Sequence, residues 1–159
     1  MERCAIDSID REILYQLQLD GRLANNELAA RVGLSPSPCL RRVRQLEADG
    51  TIRGYTAQVD PAAIDRSYEV LMWVTLSRVT RDTMAEVEAA LLQLDPVVEA
   101  VRMMGQPDYL LRIAVRDAVE FESVYIDQLA TLPHVQTLTS MISMKTVKRS
   151  VPTRVRSTG

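Results

Sequence analysis

The sequence predicts an α+β chain in two parts, an N-terminal helix-turn-helix followed by a βαββαβ unit of ferredoxin-like order. Two observations lead there. Residues 25–50, NNELAARVGLSPSPCLRRVRQLEADG, hold a short helical pattern that stops at Gly33 and a second that opens on Ser-Pro and carries Arg41, Arg42 and Arg44. Beyond residue 66, apolar runs succeed one another as strand, helix, strand, strand, helix, strand.

The first helix is set by Ile6, Ile9, Ile13, Leu14 and Leu17, which share one face. Asp7 or Ser8 caps its start, and Asp10 and Glu12 place negative charge where the helix dipole favours it. Gly21 is its natural stop. A second helix starts with Asn25 as its cap and buries Leu28, Ala29 and Val32. Gly33 ends it in the left-handed region, and Leu34 wedges into the turn. The third helix has two candidate starts, Ser35-Pro36 and Ser37-Pro38, and the restriction on a residue before proline favours the later. Leu40, Val43 and Leu46 form its expected buried stripe, and Gly50 its stop. At ~100° per residue, Ser37, Arg41, Arg44 and Gln45 point away from that stripe.

Residues 52–61 alternate at Tyr55, Ala57 and Val59 and read as a short connecting strand. Tyr68 to Ser77 is a β-rich run with Trp73. Met84, Val87, Leu91 and Leu94 repeat at helical spacing. Val97 to Met104 and Tyr109 to Val115 are strands joined by Gly105-Gln106-Pro107-Asp108. Phe121, Val124, Tyr125 and Leu129 mark a helix ending before Pro133, and Val135 to Lys148 alternates as a long last strand. The resulting domains are 1–52, helix-turn-helix; 53–66, a linker with the short strand; 67–149, the βαββαβ domain; and 150–159, a flexible tail.

Composition narrows the function. No apolar run reaches the ~18 residues of a membrane span, and the charged N-terminus lacks a signal core, which points to a cytoplasmic protein without membrane contact. Cys4 and Cys39 make neither a disulfide framework nor a thiolate zinc site. His134 is the single histidine, which excludes a multi-histidine metal centre, and it reads as an ordinary surface residue. No nucleophile–base pair, metal cluster or phosphate loop is legible, so no catalytic or metal residues are assigned and an enzyme is not expected.

The net charge of −2 hides an asymmetry. Residues 1–56 carry eight basic and eight acidic side chains, residues 57–143 six and thirteen, and residues 144–159 five and none. The acidic middle repels phosphates, so any DNA contact falls to local basic clusters. Arg41 and Arg44 suit that task, because a guanidinium holds guanine O6 and N7, or a phosphate, through two hydrogen bonds. Ser37 and Gln45 add hydrogen-bonding groups. Arg42 lies nearer the packed flank, where an internal salt bridge competes with DNA, and Arg31 on the preceding helix is a candidate phosphate contact. Cys39 reads as a small buried thiol. The Gly105–Tyr109 turn reads either as a plain hairpin, with Pro107 at the second position of a type I turn, or as a ligand loop. In the ligand reading, Asp108 accepts from an ammonium, while loop amides or Ser140 meet a carboxylate.

The segments IDREILYQLQLDGRLANNELAARVGLSPSPCLRRVRQLEADGTIRGYTAQVDP and GQPDYLLRIAVRD resemble the Lrp/AsnC family, the feast/famine transcription regulators, over Ile6 to about Lys148. The resemblance implies a winged-type helix-turn-helix and a βαββαβ RAM domain. It implies control of transcription, often with an amino-acid effector and no other cofactor. It also implies dimers assembling to octamers or similar, with the strand near Gly54 to Val59 joining the partner's. Carried onto this chain, the recognition helix is Ser35 to Asp49, with Ser35 and Pro38 joining Arg31, Ser37, Arg41, Arg42, Arg44 and Gln45 as DNA-binding positions. The effector set is Met104, Gly105, Gln106, Pro107, Asp108 and Tyr109, with Ser140 and Met141 on the last strand. Two departures stand out. Gln106 replaces a residue often acidic in the family, and Pro107 lacks a backbone donor, which argues against a cationic effector.

The sequence thus reads as a sequence-specific DNA-binding transcription regulator, nucleoid-associated in the cytoplasm. It would bind double-stranded DNA, other copies of itself and a small amino acid. The alternative is an architectural DNA-compacting protein with no effector, whose binding would ignore sequence.

Overall fold

The computed structural model describes residues 6–147 and divides them into two compact units, one running to residue 58 and one spanning 59–147. The division falls inside the segment 53–66 expected to link two domains. Cys4 and the expected tail, 150–159, lie outside the described residues.

The N-terminal unit contains α1 (Ser8–Leu19), α2 (Asn25–Arg31) and α3 (Pro36–Ala48). Asp7 caps α1 in a capping box with Asp10, the more favourable of the two expected caps. Ile13, Leu28, Ala29, Cys39 and Leu46 are buried together, with Val43 and Leu34 packed against them. Gly33 and Gly50 take φ of 71° and 68°, the left-handed geometry that ends each helix.

Three expectations are corrected here. Ala24, not Asn25, stands at the cap of α2, and Asn25 Nδ2 instead donates to the Pro36 carbonyl at 2.9 Å, tying the start of α2 to that of α3. The third helix opens at the earlier Ser-Pro, with Ser35 at the cap. Pro36 and Pro38 then both fall in the first turn, where no amide has an intrahelical acceptor, so neither missing N–H breaks a bond. The buried stripe of α3 runs through Cys39, Val43 and Leu46, one residue off the expected Leu40, which is 37% exposed.

Residues 53–60 form no strand. A strand needs a neighbour for its amides, and the single chain supplies none there. A 3-10 turn, Pro61–Ile64, follows, capped by Asp60.

The C-terminal unit runs β1 (Tyr68–Leu76), α4 (Arg81–Leu91), β2 (Val97–Arg102), β3 (Tyr109–Val115), α5 (Ala118–Val124), a π turn (Tyr125–Leu129) and β4 (Val135–Ile142). The sheet order is β2-β3-β1-β4, with every neighbour antiparallel. This is the expected βαββαβ arrangement. The last strand stops at Ile142 rather than Lys148, because its partner β1 begins at Tyr68 and Val70 already faces Ile142. β2 stops at Arg102, two residues before the expected Met104, where the hairpin loop begins.

Val70, Met72, Val74 and Leu76 alternate onto one face of β1 and are buried with Leu111, Ile113, Val87, Leu91 and Leu129. Each such side chain contributes ~1.5–3 kcal/mol of burial. The opposite face of the sheet carries Leu71 and Trp73 from β1, Leu110 and Arg112 from β3, and Thr139 and Met141 from β4. Neither helix of this unit packs on it. Among the described residues the Trp73 Nε1–H there is buried without an acceptor.

Candidate nucleic-acid interface and ligand-binding loop

The outward face of α3 follows from the packing of its inner one. With Cys39 and Leu46 buried, Ser37, Arg41, Arg44 and Gln45 are turned to solvent. Together with Leu40 they line a shallow concavity of about 350 Å³. Gln45 Nε2 donates to Asp49 Oδ1 at 2.8 Å. Arg41 and Arg44 are exposed and have no ion pair among the described residues. The helix therefore presents two unneutralised guanidinium groups on successive turns, flanked by a hydroxyl and an amide.

The other arginines are engaged elsewhere. Arg42 turns towards α1, where its Nη1 lies 2.8 Å from both Asp7 Oδ2 and Asp10 Oδ1. The amide of Asp10 and the Arg42 guanidinium hold the Asp7 carboxyl below its ordinary range. The same two carboxylates, Asp10 first, raise the Arg42 pKa above the usual guanidinium value. Arg31 pairs with Glu27 at 2.5 Å one turn back and donates to Gln16 at 3.1 Å, while its side chain stays 41% exposed. Ser35 is exposed at the cap but makes no capping hydrogen bond, and Pro38 is half-buried in the first turn. Cys39 is fully buried, and desolvation pushes its thiol pKa up.

Tyr55, read from the sequence only as part of a connecting strand, makes a contact that reading did not anticipate. Its hydroxyl donates to Glu47 Oε1 at 2.9 Å, and although half the residue stays exposed, partial desolvation and then the Glu47 carboxylate push its pKa up to about 12. Its ring lies against Gly21, where a Cβ would come within 3.3 Å of Tyr55 Cδ1. An aromatic residue just beyond a glycine-ended helix was the available signal.

In the C-terminal unit the Gly105–Asp108 loop joins β2 to β3. Gly105 takes φ 108°, the Gln106–Pro107 bond is cis, and Met104 is fully exposed. Asp108 is bound into the sheet end. Its Oδ2 accepts from the Leu76 amide at 2.7 Å, its own amide donates to the Val74 carbonyl at 2.9 Å, and its carbonyl accepts from Met103 at 2.7 Å. Tyr109 is 2% exposed and points to α4, where its hydroxyl donates to Glu88 Oε1 at 3.0 Å. Burial, then Glu88, pushes its pKa up to about 12.

Ser140 pairs with Met72 across the sheet, and Met141 with Leu71 on the uncovered face. Both are exposed. Tyr109 pairs with Val74, two residues further along β1. With ~4.8 Å between strands and ~3.4 Å per residue, Tyr109 and Ser140 backbones stand about 12 Å apart, beyond shared hydrogen-bond reach. One chain does not bring the loop and Ser140 onto one small ligand. His134, at φ 60°, pairs with Glu86 at 2.8 Å on the surface.

Comparison with known proteins agrees with both units. Residues 6–53 match winged helix-turn-helix DNA-binding domains, and residues 69–153 match the Lrp/AsnC ligand binding domain. The leucine-responsive regulatory protein of Salmonella typhimurium is 42% identical over 145 residues, 91% of this chain and 88% of that protein. A transcriptional regulator from Neisseria meningitidis, solved as an L-Met complex, superposes with a TM-score of 0.87 at 34% identity, covering 94% of this chain and 96% of that one. A feast or famine regulatory protein from M. tuberculosis, complexed with L-methionine, superposes at 0.78 with 29% identity, covering 93% and 100%. An arginine-bearing helix-turn-helix and a βαββαβ ligand-binding unit, each matched in sequence and in fold, make this chain a member of the Lrp/AsnC family of DNA-binding transcription regulators, not an enzyme.

Proposed function

We propose that the protein reads a specific DNA sequence through α3, with Arg41 and Arg44 at base edges or phosphates and Ser37 and Gln45 beside them. The observation carrying this reading is that these two guanidinium groups are exposed and have no ion pair among the described residues. Arg42 is committed to α1 and orients α3 rather than touching DNA. Arg31 and Ser35 supply phosphate contacts at the flank, and Pro38 shapes the first turn.

The protein acts as a homodimer that assembles further. The uncovered sheet face, with Leu71, Met141 and the unanswered Trp73 indole N–H, suits a second copy of the chain. Two recognition helices would then enter successive major grooves, ~34–36 Å apart. The residues to 52 and from 67 to 149 act as separate domains joined by 53–66, whose strand forms against the partner's.

An apolar amino acid is the effector, as the L-methionine complexes of two relatives suggest. Met104 to Tyr109 from one copy and Ser140 and Met141 from another would enclose it. It shifts assembly only through differential affinity for two assembled states. The protein works in the cytoplasm, on the nucleoid.

Selection from a random duplex pool tests the reading. A pseudo-palindrome with half-sites about one turn apart is the expected product. Recovery of no consensus would replace specific regulation with architectural compaction.

A further inference from the structure

Two stripes run along α3. Cys39, Val43 and Leu46 form the inner one and pack into the core of the N-terminal unit. Ser37, Leu40, Arg41 and Arg44 follow one another at i, i+3, i+4 and i+7 and form an outer one. By spacing, Leu40 therefore belongs with the solvent-facing side chains. It is 37% exposed and stands outside the core cluster of the described residues. It lines the concavity of about 350 Å³ together with Ser37, Arg41, Arg44 and Gln45.

A part-exposed leucine by itself is ordinary on a protein surface. The neighbours of Leu40 give it a consequence, because each of them carries a hydrogen-bonding group and Leu40 carries none. Pressed against base edges, a leucine expels water and offers neither donor nor acceptor in return. Guanine O6 and N7, the adenine amino group and the cytosine amino group would each lose a partner there, which is costly. Thymine presents a C5-methyl group in the major groove, and an apolar side chain can cover it at no such cost.

We propose that Leu40 is a specificity-determining residue that packs on a thymine methyl group in each half-site. The inference rests on the reading of α3 as the helix that enters the major groove, and it adds the base that this apolar side chain selects. Leu40 and Arg44 are four residues apart, ~6 Å along the helix at ~1.5 Å per residue. That distance spans about two base steps of ~3.4 Å. The selected thymine thus lies about two base pairs from the position that Arg44 contacts.

The duplex recovered by selection from a random pool supplies the test. Each thymine of a half-site is replaced in turn by deoxyuridine, which keeps every hydrogen-bonding group and lacks only the methyl. Binding of the full chain is measured by fluorescence anisotropy at fixed salt. One thymine is expected to lose about fourfold in affinity on replacement, the effect of uncovering one methyl group. Leu40→Ala is expected to bind the thymine and deoxyuridine duplexes equally, whereas Leu40→Met keeps an apolar contact and keeps the preference. Circular dichroism melts establish that both variants are folded. If no half-site thymine is sensitive to deoxyuridine, or if the loss persists undiminished in Leu40→Ala, the contact is wrong and specific reading by Arg41 and Arg44 survives. If selection recovers no consensus at all, both fall.

Discussion

Arg42 and Asp10 meet at 2.8 Å across the N-terminal unit, the first on α3 and the second in the opening turn of α1. The consequence is a division of labour within RRVR. Arg42 locks the recognition helix to the body of its unit, and Arg41 and Arg44 are left facing outward. Arg42→Ala should therefore lower the melting temperature of the N-terminal helices, followed by circular dichroism, without changing the Trp73 signal of the other unit. Asp7 belongs to the same junction, and its pKa lies below the ordinary carboxylate value. Its contribution is complete above pH ~4, the unperturbed value, and is lost as pH falls through the lowered one. The gap between Arg42→Ala and the unaltered protein should narrow on acidification; a gap independent of pH would exclude the junction as its source.

Asp108 tests a second structural role. Replacing it with Ala leaves the Leu76 amide without its acceptor in a part-buried position, at a cost of ~1–3 kcal/mol. Urea unfolding followed by Trp73 should show this loss, and Leu76 amide exchange should accelerate. Asp108→Asn keeps an acceptor and should recover part of the stability. Unchanged midpoints for both would mean the bond contributes nothing.

Tyr109→Phe removes the hydrogen bond to Glu88, worth about 1 kcal/mol net. Its pH dependence has a definite sign. The folded chain keeps the phenol neutral up to about 12, above the ordinary value of ~10. Its stabilising contribution is therefore complete below pH ~10 and lost as pH rises towards 12. Denaturation at pH 9 and pH 11 should show a steeper alkaline decline with Tyr109 than with Phe. Equal declines would remove Tyr109 as the titrating group.

What was legible in the sequence was local. Gly33 and Gly50 announced their helix ends, because a left-handed residue is a local demand on one φ angle. The strand and helix order beyond residue 66 followed from apolar periodicity, which each element carries in itself. What failed depended on distant partners. The flank position of Arg42 allowed an internal salt bridge, but its partner Asp10 lies 32 residues away, and Leu76 lies 32 residues from Asp108, so neither partner could be named from the local sequence. The end of β4 was set by where β1 begins. The two Ser-Pro starts were sterically close alternatives, and on α3 Cys39 is buried as expected while Leu40, expected beside it, is half-exposed.

The most direct test is DNA affinity of the Arg41→Ala/Arg44→Ala protein at fixed salt, measured by fluorescence anisotropy on the selected duplex. Each lost guanine contact is expected to cost ~1–3 kcal/mol, or each lost phosphate contact to flatten the salt dependence by about one unit of slope. Binding should weaken at least tenfold while the circular dichroism melt stays unchanged. A folded double variant that binds as tightly as the unaltered protein, with the same salt slope, would contradict the assignment of α3 to the major groove.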